Sequence, residues 1–209
     1  MNTNYYANRL AGERLRAAYE IASPRVRRYL EAEIAFALRL MNTGDKVLEL
    51  GCGYGRVLAR LAEKASIAVG IDTAAESLAL GRRLAPPGLA CEYVAMNALE
   101  IGFRSGEFDF VACVQNGICA FGVDPELLAR EALRVTRPGG RAVISSYSER
   151  FWPERLAWFE AQSRAGLVGP IDYDRTSGGS IVCADGFRAG TMSPEELLAL
   201  RVRERVIRM

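Results

Sequence analysis

Asp45-Lys46-Val47-Leu48-Glu49-Leu50-Gly51-Cys52-Gly53-Tyr54-Gly55-Arg56-Val57 is the stretch on which the fold turns. Val47, Leu48 and Leu50 make an apolar strand that runs into glycines at alternate positions, Gly51, Gly53 and Gly55. Val57, Leu58 and Leu61 then open a helical pattern. A strand that ends in a glycine turn and restarts as a helix is the first unit of a nucleotide-binding α/β sheet. Glycine tolerates positive φ and lets a ligand approach the backbone closely. The carboxylate of Glu49, just before the turn, suits a cationic ligand better than a diphosphate.

Downstream the pattern alternates. Strands are expected at 46–50, 67–71, 90–95, 108–115 and 141–147, and helices at 56–64, 74–85 and 125–135, with Arg137-Pro138-Gly139-Gly140 turning into the last strand. The strands are nearly continuous apolar runs, as in a sheet covered by helices on both faces. The expected fold is therefore α/β, a doubly wound, mostly parallel sheet. Upstream, residues 5–40 read as helix in two pieces, the second capped by Ser23 with Pro24 at its first position. After residue 150 a helix at 152–165 precedes short strands at 168–174, 180–183 and 187–191, and Ser193-Pro194-Glu195-Glu196 starts a last helix. One domain is expected over 1–209: a helical cap (1–44), a cofactor-binding core (45–150) and a substrate-side and C-terminal region (151–209) carrying a small strand insertion.

The composition narrows the function. Among 209 residues there is no histidine, so chemistry that needs an imidazole base or an imidazole-ligated metal is excluded within the chain. The net charge of +2 and the lack of a basic run with interleaved aromatics argue against nucleic acid. Five cysteines, at 52, 91, 113, 119 and 183, show no metal-ligand spacing and no disulfide framework. With no signal peptide and no bilayer-length apolar run, a reduced, cytoplasmic protein without a membrane partner is expected.

Chemistry-bearing residues gather at the carboxyl ends of the expected strands, where open α/β folds bind ligands. They are Glu49 with Gly51, Cys52, Gly53 and Gly55; Asp72 and Thr73 after the second strand; Asn97 and Ala98 after the third; and Gln115 and Asn116 at the tip of the fourth. A carboxylate at Asp72, 21 positions after Gly51, can accept both hydroxyls of a ribose. Asp72 or Thr73 can equally cap the following helix, Asn97 can close an Asx turn, and Asn116 can close a loop. Tyr5 and Tyr6 are candidates for the substrate side, with ordinary packing as the alternative.

These motifs resemble the Rossmann-like (class I) S-adenosylmethionine-dependent methyltransferases, in their small-molecule branch. Val47-Leu48-Glu49-Leu50-Gly51-Cys52-Gly53-Tyr54-Gly55 is similar to that family's glycine-rich motif and Gly70-Ile71-Asp72 to its second. Phe108-Asp109-Phe110-Val111 matches the entry to its fourth strand, and Leu133 through Gly140 the approach to its fifth. The resemblance covers residues 30–147. It implies that Gly51–Gly55 cradle the methionine portion of S-adenosylmethionine, that Asp72 holds the ribose, and that Asn97 and Ala98 border adenine. The family more often has aspartate where this chain has Asn97. Its N-terminal segments often lie over the acceptor pocket, which is where Tyr5 and Tyr6 would act.

The implied reaction is methyl transfer to a small-molecule acceptor. It needs placement and desolvation more than acid–base chemistry, so the lack of histidine is tolerable and no catalytic base is assigned. Gln115-Asn116-Gly117-Ile118 replaces the Pro-Pro-aromatic signature of nucleic-acid amino-methylating enzymes. Two alternatives stand beside this reading. A nicotinamide-dependent oxidoreductase would want glycine where Arg56 stands. A cofactor-binding scaffold without catalysis is raised by the short C-terminus, in which the closing antiparallel hairpin of the fold is expected to be missing or reduced. That would leave an open sheet edge favouring a homodimer.

Overall fold

A computed structural model describes residues 5–200 of the chain. Three helices lead, α1 (Tyr5–Asn8), α2 (Gly12–Glu20) and α3 (Pro24–Leu40). The alternating core follows as β1 (Lys46–Leu50), α4 (Leu58–Ala62), β2 (Ile67–Asp72), α5 (Ala75–Leu84), β3 (Cys91–Ala95), β4 (Phe108–Cys113), α6 (Gly117–Ala120), α7 (Pro125–Val135) and β5 (Thr136–Ile144). A 3-10 turn (Glu149–Phe151), α8 (Trp152–Arg164), β6 (Ile181–Val182), β7 (Arg188–Ala189) and α9 (Pro194–Ala199) complete the described residues.

β1 to β5 form one parallel sheet in the order β3-β2-β1-β4-β5. The order reverses between β1 and β4, so a crevice opens at their carboxyl ends. Alternating side chains feed two cores. Val47, Phe110 and Ala112 join Ile34 and Ala37 of α3, Leu58 and Leu61 of α4, and Leu78 of α5 on one face. Leu48, Leu50, Val111 and Cys113 join Leu128, Ala132 and Val135 of α7 on the other. The period-two side-chain rule is thus met by helices on both sides.

A roof lies over the carboxyl edge of the sheet. Leu10 and Ala18 of the N-terminal segment pack with Phe159 of α8 and with Ile181, Phe187 and Ala189 of the β6–β7 hairpin. Ala22, Val26 and Leu30 pack with Tyr147, Phe151 and Trp158. The indole N–H of Trp158 donates to the Ala18 carbonyl at 2.7 Å, locking the two halves.

The sequence pattern and the structure differ in places, for physical reasons. The first expected helix is cut into α1 and α2 because Gly12, at φ +54°, turns the chain so that its amide donates to Ser77 Oγ of α5. α4 starts two residues late because Arg56 and Val57 remain in the glycine turn. β4 ends at Cys113 because Gln115 and Asn116 adopt left-handed φ values of 56° and 67°. β5 begins within the expected turn, pairing Thr136 with Phe108 across a register shift before Arg141 meets Phe110. Of the three strands expected over 168–191, the first is reduced to an isolated bridge between Ile171 and Cys183, and the other two shrink to two residues each. The Gly179, Ala189 and Gly190 carbonyls turn to a side chain, that of Arg155, instead of a ladder. Among the described residues the main sheet has five strands, and β6 and β7 pair antiparallel apart from it. The arginine-rich segment 201–209 lies outside the described residues. No described helix is long and apolar enough to cross a membrane.

Candidate functional site

A cavity of about 440 Å³ fills the space between the carboxyl edge of the sheet and the roof. Its floor is the glycine turn. The amides of Gly51 and Cys52 both donate to the Ile71 carbonyl, at 2.8 and 3.0 Å, which ties the turn to β2. Gly51 has φ +73°, and a Cβ there would sit 2.4 Å from the Phe121 ring. Gly55, at φ +83°, would drive a Cβ to 2.1 Å from the Tyr93 hydroxyl. Both positions therefore require glycine for conformation and for space. Cys52 is a buried thiol in the turn, held in its neutral form by burial and by the nearby Glu49 and Asp72 carboxylates.

Strand register creates the seat for Glu49. It faces Gly70 on β2 and Ala112 on β4, two small residues that leave room for a carboxyl group. The group is 4% exposed and its Oε2 has no hydrogen-bond partner. Burial raises its pKa to about 8, with Asp72 adding to the rise while Arg56 and the Leu58 backbone oppose it. An apolar seat with an unpartnered oxygen favours a cation arriving from the cavity.

Asp72 ends β2 and bridges two backbone amides. Its Oδ2 accepts from Gly53 N and its Oδ1 from Ala74 N, both at 2.8 Å. It thus fastens the glycine turn to the start of α5, and burial is the main cause of its raised pKa. Thr73 lines the cavity beside it. Asn97 and Ala98 also line the cavity, with Asn97 Oδ1 accepting from Leu99 N at 3.0 Å in an Asx turn. That bond leaves the Asn97 amide nitrogen for other use.

The tip of β4 is more constrained than its sequence suggested. Gln115 N donates to Glu33 Oε1 and to Ser145 Oγ, each at 3.0 Å, and Gln115 Oε1 accepts from Arg56 Nη2. The Asn116 side chain spends both ends on the protein, Nδ2 donating to the Gly190 carbonyl at 2.9 Å and Oδ1 accepting from Ser146 Oγ at 2.8 Å. Ser146 Oγ in turn accepts from Met192 N. Asn116 therefore borders the cavity while fastening the hairpin segment to β4.

The two N-terminal tyrosines part company. Tyr6 lines the cavity and packs edge-on to Phe187. Tyr5 also packs on Phe187, but its hydroxyl donates to Asp185 on a separate surface depression, and burial with that bond pushes its pKa up to about 12.

The family model described as a methyltransferase domain matches residues 48–144, which run from β1 through β5 and carry the whole floor of the cavity. Residues 48–144 thus resemble a methyltransferase domain. A demethylmenaquinone methyltransferase from Beutenbergia cavernae is 35% identical over 143 residues, 63% of this chain and 56% of that protein. A 2-methyl-6-phytyl-1,4-hydroquinone methyltransferase from Synechocystis is 30% identical over 116 residues, 54% of this chain and 35% of that protein. The chain thus spans about a third to just over half the length of these curated relatives. A crystal structure of a Pyrococcus horikoshii protein superposes with a TM-score of 0.62 at 19% identity, covering 95% of this chain and 87% of that one, and shares the fold.

The residues matched by the family model supply the floor, whereas the roof supplies residues that the motifs do not mark. Tyr19, Tyr147, Trp158, Phe159 and Arg155 border the cavity from the roof, and Tyr54 from the glycine turn. Burial raises the pKa of Tyr6, Tyr19, Tyr54 and Tyr147 above the ordinary phenol value. Arg56 lies over the Tyr19 ring at 4.7 Å and pairs with Glu31. One signal was present in the sequence: Arg155 stands three and four residues before Trp158 and Phe159 and three after Trp152, a charge on the apolar stripe of its helix.

Proposed function

We propose that this chain transfers a methyl group from S-adenosylmethionine to a small-molecule acceptor by in-line displacement. The carrying observation is the buried Glu49 carboxyl, with one oxygen unpartnered, beneath a glycine turn that also presents Asp72 to the same cavity. That seat fits a cationic ligand, and the turn excludes any Cβ that would fill it. The methyltransferase domain match and the names of the curated relatives support the same reading, and those relatives act on quinone-type small molecules.

When bound, S-adenosylmethionine supplies a methyl group on a sulfonium that leaves as a neutral thioether. In this assignment Glu49, Gly51, Cys52, Gly53 and Gly55 receive its methionine end. Asp72 and Thr73 take the ribose, Asn97 and Ala98 border the adenine, and Gln115 and Asn116 close the side toward the acceptor. Tyr6 belongs to the acceptor wall, and Tyr5 holds the helix that carries it. The roof aromatics exclude water and align the acceptor, which is where such a reaction gains most of its rate. The cavity tyrosines, with raised pKa values, keep their protons at neutral pH and do not serve as bases. The acceptor therefore brings its own lone pair.

Calorimetry tests the reading. S-adenosylmethionine and S-adenosylhomocysteine should bind at micromolar concentrations and NADH should not; NADH binding with no response to either sulfur compound would overturn it. Binding without turnover across an acceptor panel would favour the scaffold alternative. We also place the protein in a reducing compartment, since its five cysteines are all free thiols. A homodimer through the outer edge of β5, which has no strand neighbour among the described residues, is part of the same proposal and is tested by light scattering.

A further inference from the structure

The acceptor wall of the cavity holds a buried cation without a counter-ion. Arg155 of α8 is 1% exposed and borders the cavity. Its Nη1 donates to the Gly179 carbonyl and its Nη2 to the carbonyls of Ala189 at 2.7 Å and Gly190 at 3.1 Å. Its Nε has no partner. A guanidinium has five N–H donors, so three bonds to neutral carbonyls leave it both under-bonded and uncompensated. Among the described residues no carboxylate lies within ion-pair distance of it. The titratable neighbours that act on it are the Tyr147 and Tyr6 phenols and the Cys119 thiol, all held neutral by burial. The two carboxylates that border the cavity are committed at the glycine turn, Glu49 beside Arg56 and Asp72 to backbone amides.

Burying an arginine without a carboxylate is costly, and such charges are ordinarily paired. The surroundings of this one are flat and apolar. The Tyr147, Trp152 and Phe159 rings lie within 5.3 to 5.9 Å of the guanidinium carbon. Trp158 continues the same wall. An aromatic slot with one unpaired cation is complementary to a planar molecule that carries an anionic oxygen. We infer that the methyl acceptor is an aromatic acid or an ionised phenol whose anionic oxygen is seated against Arg155. The inference deepens the methyl-transfer reading and rests on it. It also fits the lack of a base, because a bound phenolate needs none.

A plainer role for Arg155, strapping the hairpin carbonyls to α8, makes a different prediction. A strap is indifferent to the charge of a ligand. The test is calorimetry on the full chain loaded with S-adenosylhomocysteine, using two matched pairs: 4-hydroxybenzoate against 4-hydroxybenzamide, and 4-nitrophenol against 4-nitroanisole at a pH where the phenol is ionised. The carboxylate pair and the phenolate pair distinguish the two sources of the anionic oxygen. In at least one pair the anion should bind about tenfold or more tighter than its neutral partner, as expected for a charge-assisted pair in a desolvated site. Arg155→Met should abolish that preference while S-adenosylhomocysteine still binds. Equal binding within both pairs, no binding of either anion, or a preference that survives in Arg155→Met would each overturn the inference. If Arg155→Met fails to fold, the comparison within the wild-type pairs still decides. If S-adenosylhomocysteine does not bind, the methyl-transfer reading fails separately, and the same pairs measured on the free protein still report on Arg155.

Discussion

Replacing Glu49 by Gln tests the cofactor seat through its proton. Burial holds the Glu49 pKa near about 8, against about 4.5 for an ordinary glutamate, so the free protein carries this group protonated at neutral pH. A cationic ligand requires the ionised form. At pH 6 the carboxyl lies about two units below its pKa, and ionising it costs about 2.7 kcal/mol, a factor of roughly 100 in affinity. S-adenosylmethionine should therefore bind about tenfold more tightly for each unit of pH between 6 and 7.5, and the gain should level off above 8. About one proton should be released per ligand at pH 6.5, read by calorimetry in buffers of different ionisation enthalpy. Glu49→Gln should flatten the slope, remove the proton release and bind weakly throughout. The same shift acts on stability. A folded-state pKa above the unfolded value means that the folded chain binds more protons between about 4.5 and 8. Stability in the absence of ligand therefore falls as pH rises through that window, by up to about 1.4 kcal/mol per unit. In Glu49→Gln that contribution disappears, so the variant gains on the wild type as pH approaches 8 in urea titrations. A pH-independent wild-type affinity, or the same slope in both proteins, would refute the reasoning.

Three further outcomes follow from the geometry. Gly51→Ala should lose about 2 kcal/mol or more in urea unfolding, because the position has φ +73° and the new Cβ would meet the Phe121 ring at 2.4 Å. Asp72→Asn removes a charged acceptor shared by the Gly53 and Ala74 amides, and should cost about 1.5–3 kcal/mol of stability and at least about tenfold in cofactor affinity by calorimetry. Asn116→Ala removes one of the two bonds to the Gly190 carbonyl and the acceptor of the Ser146 hydroxyl, and should cost about 1–2 kcal/mol, with acceptor KM rising more than the cofactor Kd in steady-state kinetics.

The floor of the site was legible because it obeys local rules. Val47 through Gly55 alternate, turn and restart within a dozen residues, and Asp72 stands at the end of the next strand, so periodicity and glycine spacing suffice to bring them together. Helix α7 was legible to the residue because Asp124 and Pro125 announce its start, and the Asp124 side chain accepts from Glu126 N. The roof was not legible. Arg155 meets Gly179 and Ala189 through tertiary packing, and no local pattern says which carbonyls a buried guanidinium will find. The left-handed Gln115 and Asn116 were equally hidden, since no glycine marks them and the constraint comes from Glu33, Ser145 and Gly190 elsewhere in the chain. The Asx turn at Asn97 was visible as an alternative and the structure has it, whereas Asp72 does not cap α5: Ala74 is the N-cap residue, and its amide donates to Asp72 Oδ1.

The bond between Trp158 and the Ala18 carbonyl joins positions 140 residues apart, and Tyr5 reaches 180 residues to Asp185. Closing loops of that length is paid in chain entropy before any contact rewards it, so such junctions form late and part early. The pairings of the five-stranded sheet close shorter loops, from 21 residues (Lys46 with Ile67) to 63 (Val47 with Phe110), and depend on such closure less. Hydrogen exchange should then divide the molecule into two cooperative layers: slow amides in β1, β2 and β4, and faster amides in α1, α2 and the β6–β7 hairpin. A layer that unlatches while the sheet stays folded gives a small molecule a wider way into the cavity beneath it.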